Sequence, residues 1–442
     1  MKFFDFLENK LMPVFAKIAT QRHISAIRDG VIVSIPFTVI GGFSLIIANP
    51  PFDPNRTTGG FARAWLDFAT TYKFNLSMPY YMTMAIMSLF IAMGIGYSLA
   101  RHYKLNQLNG AVLSAMTFLL MAAQALNVDG VGRVLPATYL DGTGIFTAII
   151  AGILSVEVLR LLKVRNWTIR MPDGVPPAIA NSFDSLVPAF VLVILTFPIT
   201  LVLKSLTGVP FPQMIMNAFK PLVGAVDSPF GVFFSALLAQ LLWSVGIHGA
   251  STVRAVILPF KQANLAANAA AHMAGEAMPH IFTPMFWSAF MTIGGSGATL
   301  ALVFFYLKSR STQLRSTGKL ALLPAIFNIN EPIIFGTPMV FNPTMFIPFV
   351  LAQPICGVIA YYATKLGLVG RIFADVPWTT PAPLGAMIAA ADWRAAVLVL
   401  FLACVAGAIY YPFYKVYERQ LLRQEAQAGA AEAERPAPSV AD

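Results

Sequence analysis

The chain has 442 residues, of which 57% are hydrophobic and 11% charged, and it carries a formal net charge of +10. This balance excludes an ordinary soluble domain and a disordered chain, and it describes a polytopic membrane protein. The basic residues sit in short segments between apolar runs, as the positive-inside rule requires, so the charge argues against a nucleic-acid partner.

The N-terminus lacks the form of a cleavable signal, because Asp5, Glu8 and Lys10 interrupt what would be its apolar core. Phe3, Phe4, Leu7, Leu11, Phe15 and Ile18 recur at helical spacing, which predicts an amphipathic interfacial segment over 1–25 on the cytoplasmic surface. Apolar runs near the ~20 residues that a bilayer demands then fall at 29–48, 81–100, 109–126, 144–162, 184–206, 229–247, 284–307, 343–364 and 393–414. Lysine and arginine place the N-terminus, the Arg101 to Lys104 loop and the loop bearing Arg160, Lys163, Arg165 and Arg170 in the cytoplasm, in step with strict alternation through the first four runs.

Parity then fails twice. The run at 229–247 should bring the chain inside just before His248, yet the run at 284–307 also exits inside, fixed by Lys308, Arg310, Arg315 and Lys319. Residues 250–283 must therefore cross the membrane or form part of a re-entrant hairpin. Beyond Lys319, a cytoplasmic tail bearing Lys415, Arg419 and Arg423 requires an even number of crossings where three apolar stretches are available. The stretch around Glu331 is the natural one to dip in and return, since re-entrant backbone survives only where protein or water satisfies it. The expected fold is all-α, with about ten transmembrane helices and two re-entrant hairpins. Residues 207–228, with Pro210, Pro212, Lys220 and Pro221, form an amphipathic connector between a membrane half at 26–206 and another at 229–420. Residues 421–442, rich in Ala, Glu and Pro, predict a disordered tail.

Two clusters carry chemistry. The first, Trp243-Ser244-Val245-Gly246-Ile247-His248-Gly249, sets an imidazole between glycines, where a ligand or another backbone can approach it. The competing reading is a helix-end histidine satisfied by a carbonyl. The second is Asn328-Ile329-Asn330-Glu331-Pro332, where a carboxylate at membrane depth costs roughly 2.5 to 3.5 kcal/mol and so is expected to face protein, water or a polar ligand. The competing reading there is a capped helix end. Trp243, Trp287 and Trp378 offer flat faces for the apolar side of a sugar ring, or interfacial anchors. The run Gly294 to Leu300 lacks the Lys-Ser/Thr of a phosphate loop and reads as close packing. Cys356 and Cys404 lack metal-ligand or redox spacing, and His248 has no second ligand at i+3 or i+4, so neither a metal nor a cofactor is expected. An acid, a histidine, amides and aromatic plates suit a neutral, hydroxyl-rich solute. Arg254 is the one nearby cation, which argues against a dedicated phosphate clamp.

These motifs resemble the membrane-embedded IIC component of the bacterial phosphoenolpyruvate-dependent sugar phosphotransferase system, in the lactose, cellobiose and diacetylchitobiose branch. The landmarks are Ala26 to Gly30, Met171-Pro172 through Pro177 with Ser182-Phe183, Gly246 to Gly249, Gly294 to Leu300, Phe327 to Pro338 and Pro377 to Pro381. The resemblance implies an N-terminal half that makes a homodimer interface and a C-terminal half that carries a β-linked disaccharide or related sugar across the inner membrane. It implies that Glu331 and His248 hydrogen-bond the sugar hydroxyl to be phosphorylated, with Trp243, Asn330 and Trp378 lining the pocket. It also implies a phosphocysteine donor on a separate IIB protein, charged in turn through IIA. On the residues alone, an ion-coupled symporter with Glu331 as its ion site, or a non-transporting sugar sensor, remains open.

Overall fold

A computed structural model describes Lys17 and residues 20–52, 57–169, 171–172, 183–337, 339 and 342–433. Most of the expected interfacial segment at 1–25, and the landmark from 173 through Ser182, lie outside the described residues.

Apolar composition and backbone satisfaction together dictate helices. The N-terminal half is built from α1 (Arg22–Val33), α2 (Ile35–Ala48), α3 (Gly60–Thr71), α4 (Lys73–Tyr81), α5 (Met87–His102), α6 (Gln107–Ala122), α7 (Ile145–Val164) and α8 (Leu186–Thr207). Small polar side chains hold its helices close: the Ser155 hydroxyl donates to Ala151 O at 2.7 Å and lies 2.9 Å from Thr117 Oγ1 on α6. The departure from an all-α fold is a hairpin of β1 (Leu126–Val128) and β2 (Gly132–Val134), with Asn127 opposite Arg133. Its positive-φ residues, Gly130 and Gly132, supply the turn.

The second half begins at α9 (Phe211–Val226), which meets α10 (Pro229–Ser244) at 71°. Ser228 caps α10 by accepting from Gly231 N at 3.0 Å, and Pro229 presets its first turn. Then come α11 (Gly249–Ala274), the short α12 (Pro284–Phe286) running into a π turn at Trp287–Met291, α13 (Leu300–Leu307), α14 (Thr312–Ile326), α15 (Glu331–Gly336), α16 (Pro343–Lys365), α17 (Ala382–Ala390) and α18 (Trp393–Ala433).

Residues 250–283, expected to cross the membrane or to form part of a re-entrant hairpin, carry α11 over 26 residues, roughly 39 Å at 1.5 Å per residue. Two departures from the sequence reading matter. The single span expected at 284–307 is interrupted between Met291 and Leu300, where Gly294, Gly295, Gly297 and Ala298 all take positive φ. The tail expected to be disordered from 421 is helical to Ala433, because tertiary contacts pin it. Glu418 accepts from Ser309 Oγ at 2.6 Å and Arg310 N at 2.9 Å, and Glu425 accepts from Ser311 Oγ at 2.7 Å. Six described helices are long and apolar enough to cross a membrane, or seven if α9 and α10 form one bent span. The difference from about ten lies in pieces that are short, polar or broken, such as α6, α11 and α13.

The corner at Asp227 fixes the entry to the second half. Its carboxylate accepts from Phe282 N at 2.7 Å, Ile281 N at 3.1 Å and the His280 ring at 2.8 Å, while its carbonyl accepts from Tyr361 Oη at 3.0 Å. Asp227→Ala would orphan two backbone donors in buried residues, at a cost of about 3 kcal/mol. We expect the thermal midpoint of the detergent-purified protein to fall accordingly, and Asp227→Asn to fall less.

Candidate functional site

The interrupted elements of the second half enclose a cavity of about 280 Å³. That is near the small end of the roughly 300 to 1,000 Å³ typical of small-molecule sites. Its walls come from the end of α10, one face of α11, the π turn, the glycine turn, the break before α15 and the loop before α17. His248, Glu331, Asn330, Trp243 and Trp378, which the sequence separates by up to 135 positions, all line it.

His248 is the N-cap of α11, and its Nδ1 accepts from Ser251 N at 3.2 Å. A neutral imidazole in that bond carries its proton on Nε2, which has no partner among the described residues and remains a donor. The helix-end reading is thus true of one nitrogen and leaves the other available. Gly249 is required next to it, because a Cβ there would collide with the Ala239 carbonyl of α10. Trp243 lies over His248 with ring centroids 4.4 Å apart. Its buried indole Nε1 has no hydrogen-bond partner among the described residues. Trp243 also packs with Ile334 of α15 and Phe349 of α16, which ties the histidine wall to the acid wall.

Glu331 opens α15, where a carboxylate complements the helix dipole. No hydrogen bond or ion pair reaches its side chain among the described residues, and it is exposed where it lines the cavity. Its neighbours are spent on architecture instead. Asn330 Nδ2 donates to Ser296 O at 2.5 Å and lies 3.2 Å from Thr299 Oγ1, so the amide hydrogens hold the glycine turn and only Oδ1 is left for a ligand. Asn328 takes φ +63°, a left-handed conformation that Asn tolerates. Its Nδ2 donates to Trp378 O and Thr380 O, both at 2.9 Å, and its Oδ1 accepts from Gly294 N at 3.2 Å. One amide therefore joins three loops. Trp378, 52% exposed, lies at the cavity edge on the loop that Asn328 holds.

The glycine run is a turn built for close approach, and it is here that its sequence is needed. Gly295 has φ +101°, and a Cβ on it would strike the Asn330 side chain. We expect Gly295→Ala to shift Asn330 and Glu331 together and to weaken ligand binding by about tenfold or more. Isothermal titration against the wild type is the check.

Sequence reasoning missed Lys261. It lies seven residues beyond Arg254 on the α11 face that also bears Ser251 and Leu258, and all four line the cavity. The i, i+3, i+7 spacing was there to be read once 250–274 is taken as a helix. Trp287, expected as a sugar plate or an interfacial anchor, lies under the Lys261 Nζ at 4.7 Å from its ring centroid. Among the described residues no group of three or more His, Cys, Asp or Glu is placed to hold a metal ion.

Comparison with known proteins sets this geometry in a family. Residues 28–352 match the family described as "Phosphotransferase system, EIIC". The chain is 37% identical over 437 residues to the lichenan permease IIC component of Bacillus subtilis (strain 168), covering 95% of this chain and 94% of that one. It is 36% identical over 443 residues to the cellobiose-specific EIIC component of Geobacillus stearothermophilus, covering 96% of each. Its fold is similar to the crystal structure of the transporter ChbC, the IIC component from the N,N'-diacetylchitobiose-specific phosphotransferase system. That match has a TM-score of 0.86 and 35% identity, and it covers 95% of this chain and 99% of that one. A single family accounts for the broken helices, the apolar frame and the polar cavity over nearly the whole length, so this chain belongs to the EIIC permeases of the phosphotransferase system.

Proposed function

We propose that the cavity binds a β-linked disaccharide or related glycoside and presents one of its hydroxyls for phosphorylation by a IIB protein. One observation supports this above the rest: Glu331 and the Nε2 face of His248 line one cavity and are both unclaimed by other described residues. An acceptor and a donor so placed suit a sugar hydroxyl and its neighbour. The relatives' substrates, named as lichenan, cellobiose and N,N'-diacetylchitobiose, favour β-linked sugars.

In the reaction we infer, the hydroxyl hydrogen-bonds to the Glu331 carboxylate while His248 Nε2 donates to an adjacent oxygen. The S–P bond of the IIB phosphocysteine breaks, the sugar O–P bond forms, the thiolate leaves with the electron pair, and the hydroxyl proton passes to Glu331. Positioning and charge placement supply most of the acceleration in such transfers. Trp243 and Trp378 present aromatic surface to the pyranose faces, and Asn330 acts chiefly by holding the glycine turn.

The membrane arrangement we infer has both termini cytoplasmic. Residues 26–206 make a homodimer interface, 207–228 the connector and 229–420 the transport half, with re-entrant elements at the breaks before α13 and α15. The placement of Lys and Arg and the family resemblance support it. The test is uptake of radiolabelled disaccharides into proteoliposomes. The account expects labelled sugar phosphate to accumulate only with phosphorylated IIB and its upstream donors. Accumulation of free sugar driven by a proton or sodium gradient without IIB would overturn it in favour of a symporter.

A further inference from the structure

The α11 wall carries more positive charge than a site for neutral sugar needs. Arg254 and Lys261 both line the cavity, and neither forms a hydrogen bond or an ion pair among the described residues. Lys261 is 3% exposed, and its ammonium is held 4.7 Å from the Trp287 ring centroid and 5.4 Å from that of Phe282. Asp375 acts on both cations through space without closing an ion pair with either. It lies off the cavity lining, and Thr38 Oγ1 donates to its Oδ2 at 3.2 Å.

A buried lysine nitrogen that closes neither a hydrogen bond nor an ion pair is expensive, and an apolar side chain would cover Phe282 and Trp287 at less cost. Aromatic faces orient a cation and favour its charge, but they leave its N–H donors unfilled. Arg254 adds a planar fork of donors suited to phosphate oxygens. A phosphate monoester near neutral pH carries close to two negative charges and several acceptor oxygens, and this wall offers it a guanidinium fork and a lysine nitrogen, both without a hydrogen-bond partner among the described residues.

We propose that Arg254 and Lys261 form a phosphate-monoester position, so that the cavity binds the phosphorylated glycoside as well as the neutral one. This rests on the sugar reading above and goes beyond it. The wall receives the phosphate, and the sugar phosphate competes with incoming sugar for the same cavity.

The test uses the full chain in detergent, with isothermal titration of cellobiose, lactose and N,N'-diacetylchitobiose, each beside its 6-phosphate ester on the non-reducing ring. Inorganic phosphate serves as the control for anion binding without a sugar. For a sugar that binds, the wild type is expected to take the ester at least as tightly as the parent. The ratio of ester to parent affinity should fall by roughly tenfold in Lys261→Met and in Arg254→Gln, and Lys261→Arg should restore most of it. Should Lys261→Met fail to fold, Lys261→Gln, which keeps a polar tip, gives the same comparison. A wild-type protein that binds a parent sugar but not its ester would overturn this inference and leave the sugar reading intact. Binding of neither would overturn both. An unchanged ratio in the folded variants would remove Arg254 and Lys261 from the role.

Discussion

Glu331→Gln is expected to lower the rate of sugar phosphorylation by about a hundredfold or more, while the affinity for the neutral sugar changes by roughly tenfold at most. The substitution keeps the shape and one oxygen acceptor but removes the charge that can take a proton from the attacking hydroxyl. No described residue bonds to the Glu331 side chain, so the fold loses little when its charge is removed. The loss should therefore appear in the rate constant of transfer more than in KM. The measurement is single-turnover transfer from phosphorylated IIB to bound sugar, alongside titration of the sugar alone. A transfer rate equal to wild type would assign Glu331 to orientation and leave the proton to another acceptor.

The second large effect is architectural. Asn328→Ala should destabilise the protein by about 3 to 5 kcal/mol, because it deletes three hydrogen bonds and sets an alanine at φ +63°. The loss reaches the site directly, since those bonds hold the glycine turn and the Trp378 loop against the Glu331 turn. Asn328→Gly relieves the backbone and restores none of the bonds, so it should recover only the conformational part, about 1 to 2 kcal/mol. Asn328→Asp keeps an acceptor for Gly294 N but turns a carboxylate oxygen toward the Trp378 and Thr380 carbonyls. It is expected to be as damaging as alanine. Thermal midpoints of the four proteins in one detergent would rank them, and an Asn328→Ala midpoint within error of wild type would contradict the role.

Much of this arrangement is legible in the sequence for a simple reason: a polar group at membrane depth is costly, so it signals itself. His248 and Glu331 stand out against apolar neighbours, and the structure brings their separate segments to one cavity. The apolar runs from which α5, α7, α8 and α16 form are equally plain, because composition and length alone decide them. Other features depend on contacts that no local pattern reveals. The helix beyond residue 420 is held by Glu425 and the Ser311 turn, more than 100 positions away in the chain. The interruption of 284–307 comes from positive-φ glycines whose partners, Asn328 and Asn330, lie across a loop. Lys261 escaped notice because parity left 250–283 open between a crossing and part of a re-entrant hairpin, and it is a continuous helix that places it on the stripe of Arg254. The amides beside Glu331 show another limit of residue type. Their residue type suggests ligand donors, yet the hydrogens of both are committed to backbone and hydroxyl oxygens.

The most direct measurement is a structure of the protein with a β-linked disaccharide bound. The account predicts one pyranose ring between Glu331 and His248, with a hydroxyl within hydrogen-bond distance of the carboxylate and His248 Nε2 donating to a neighbouring oxygen. A sugar bound elsewhere, with that cavity left to water, would contradict it.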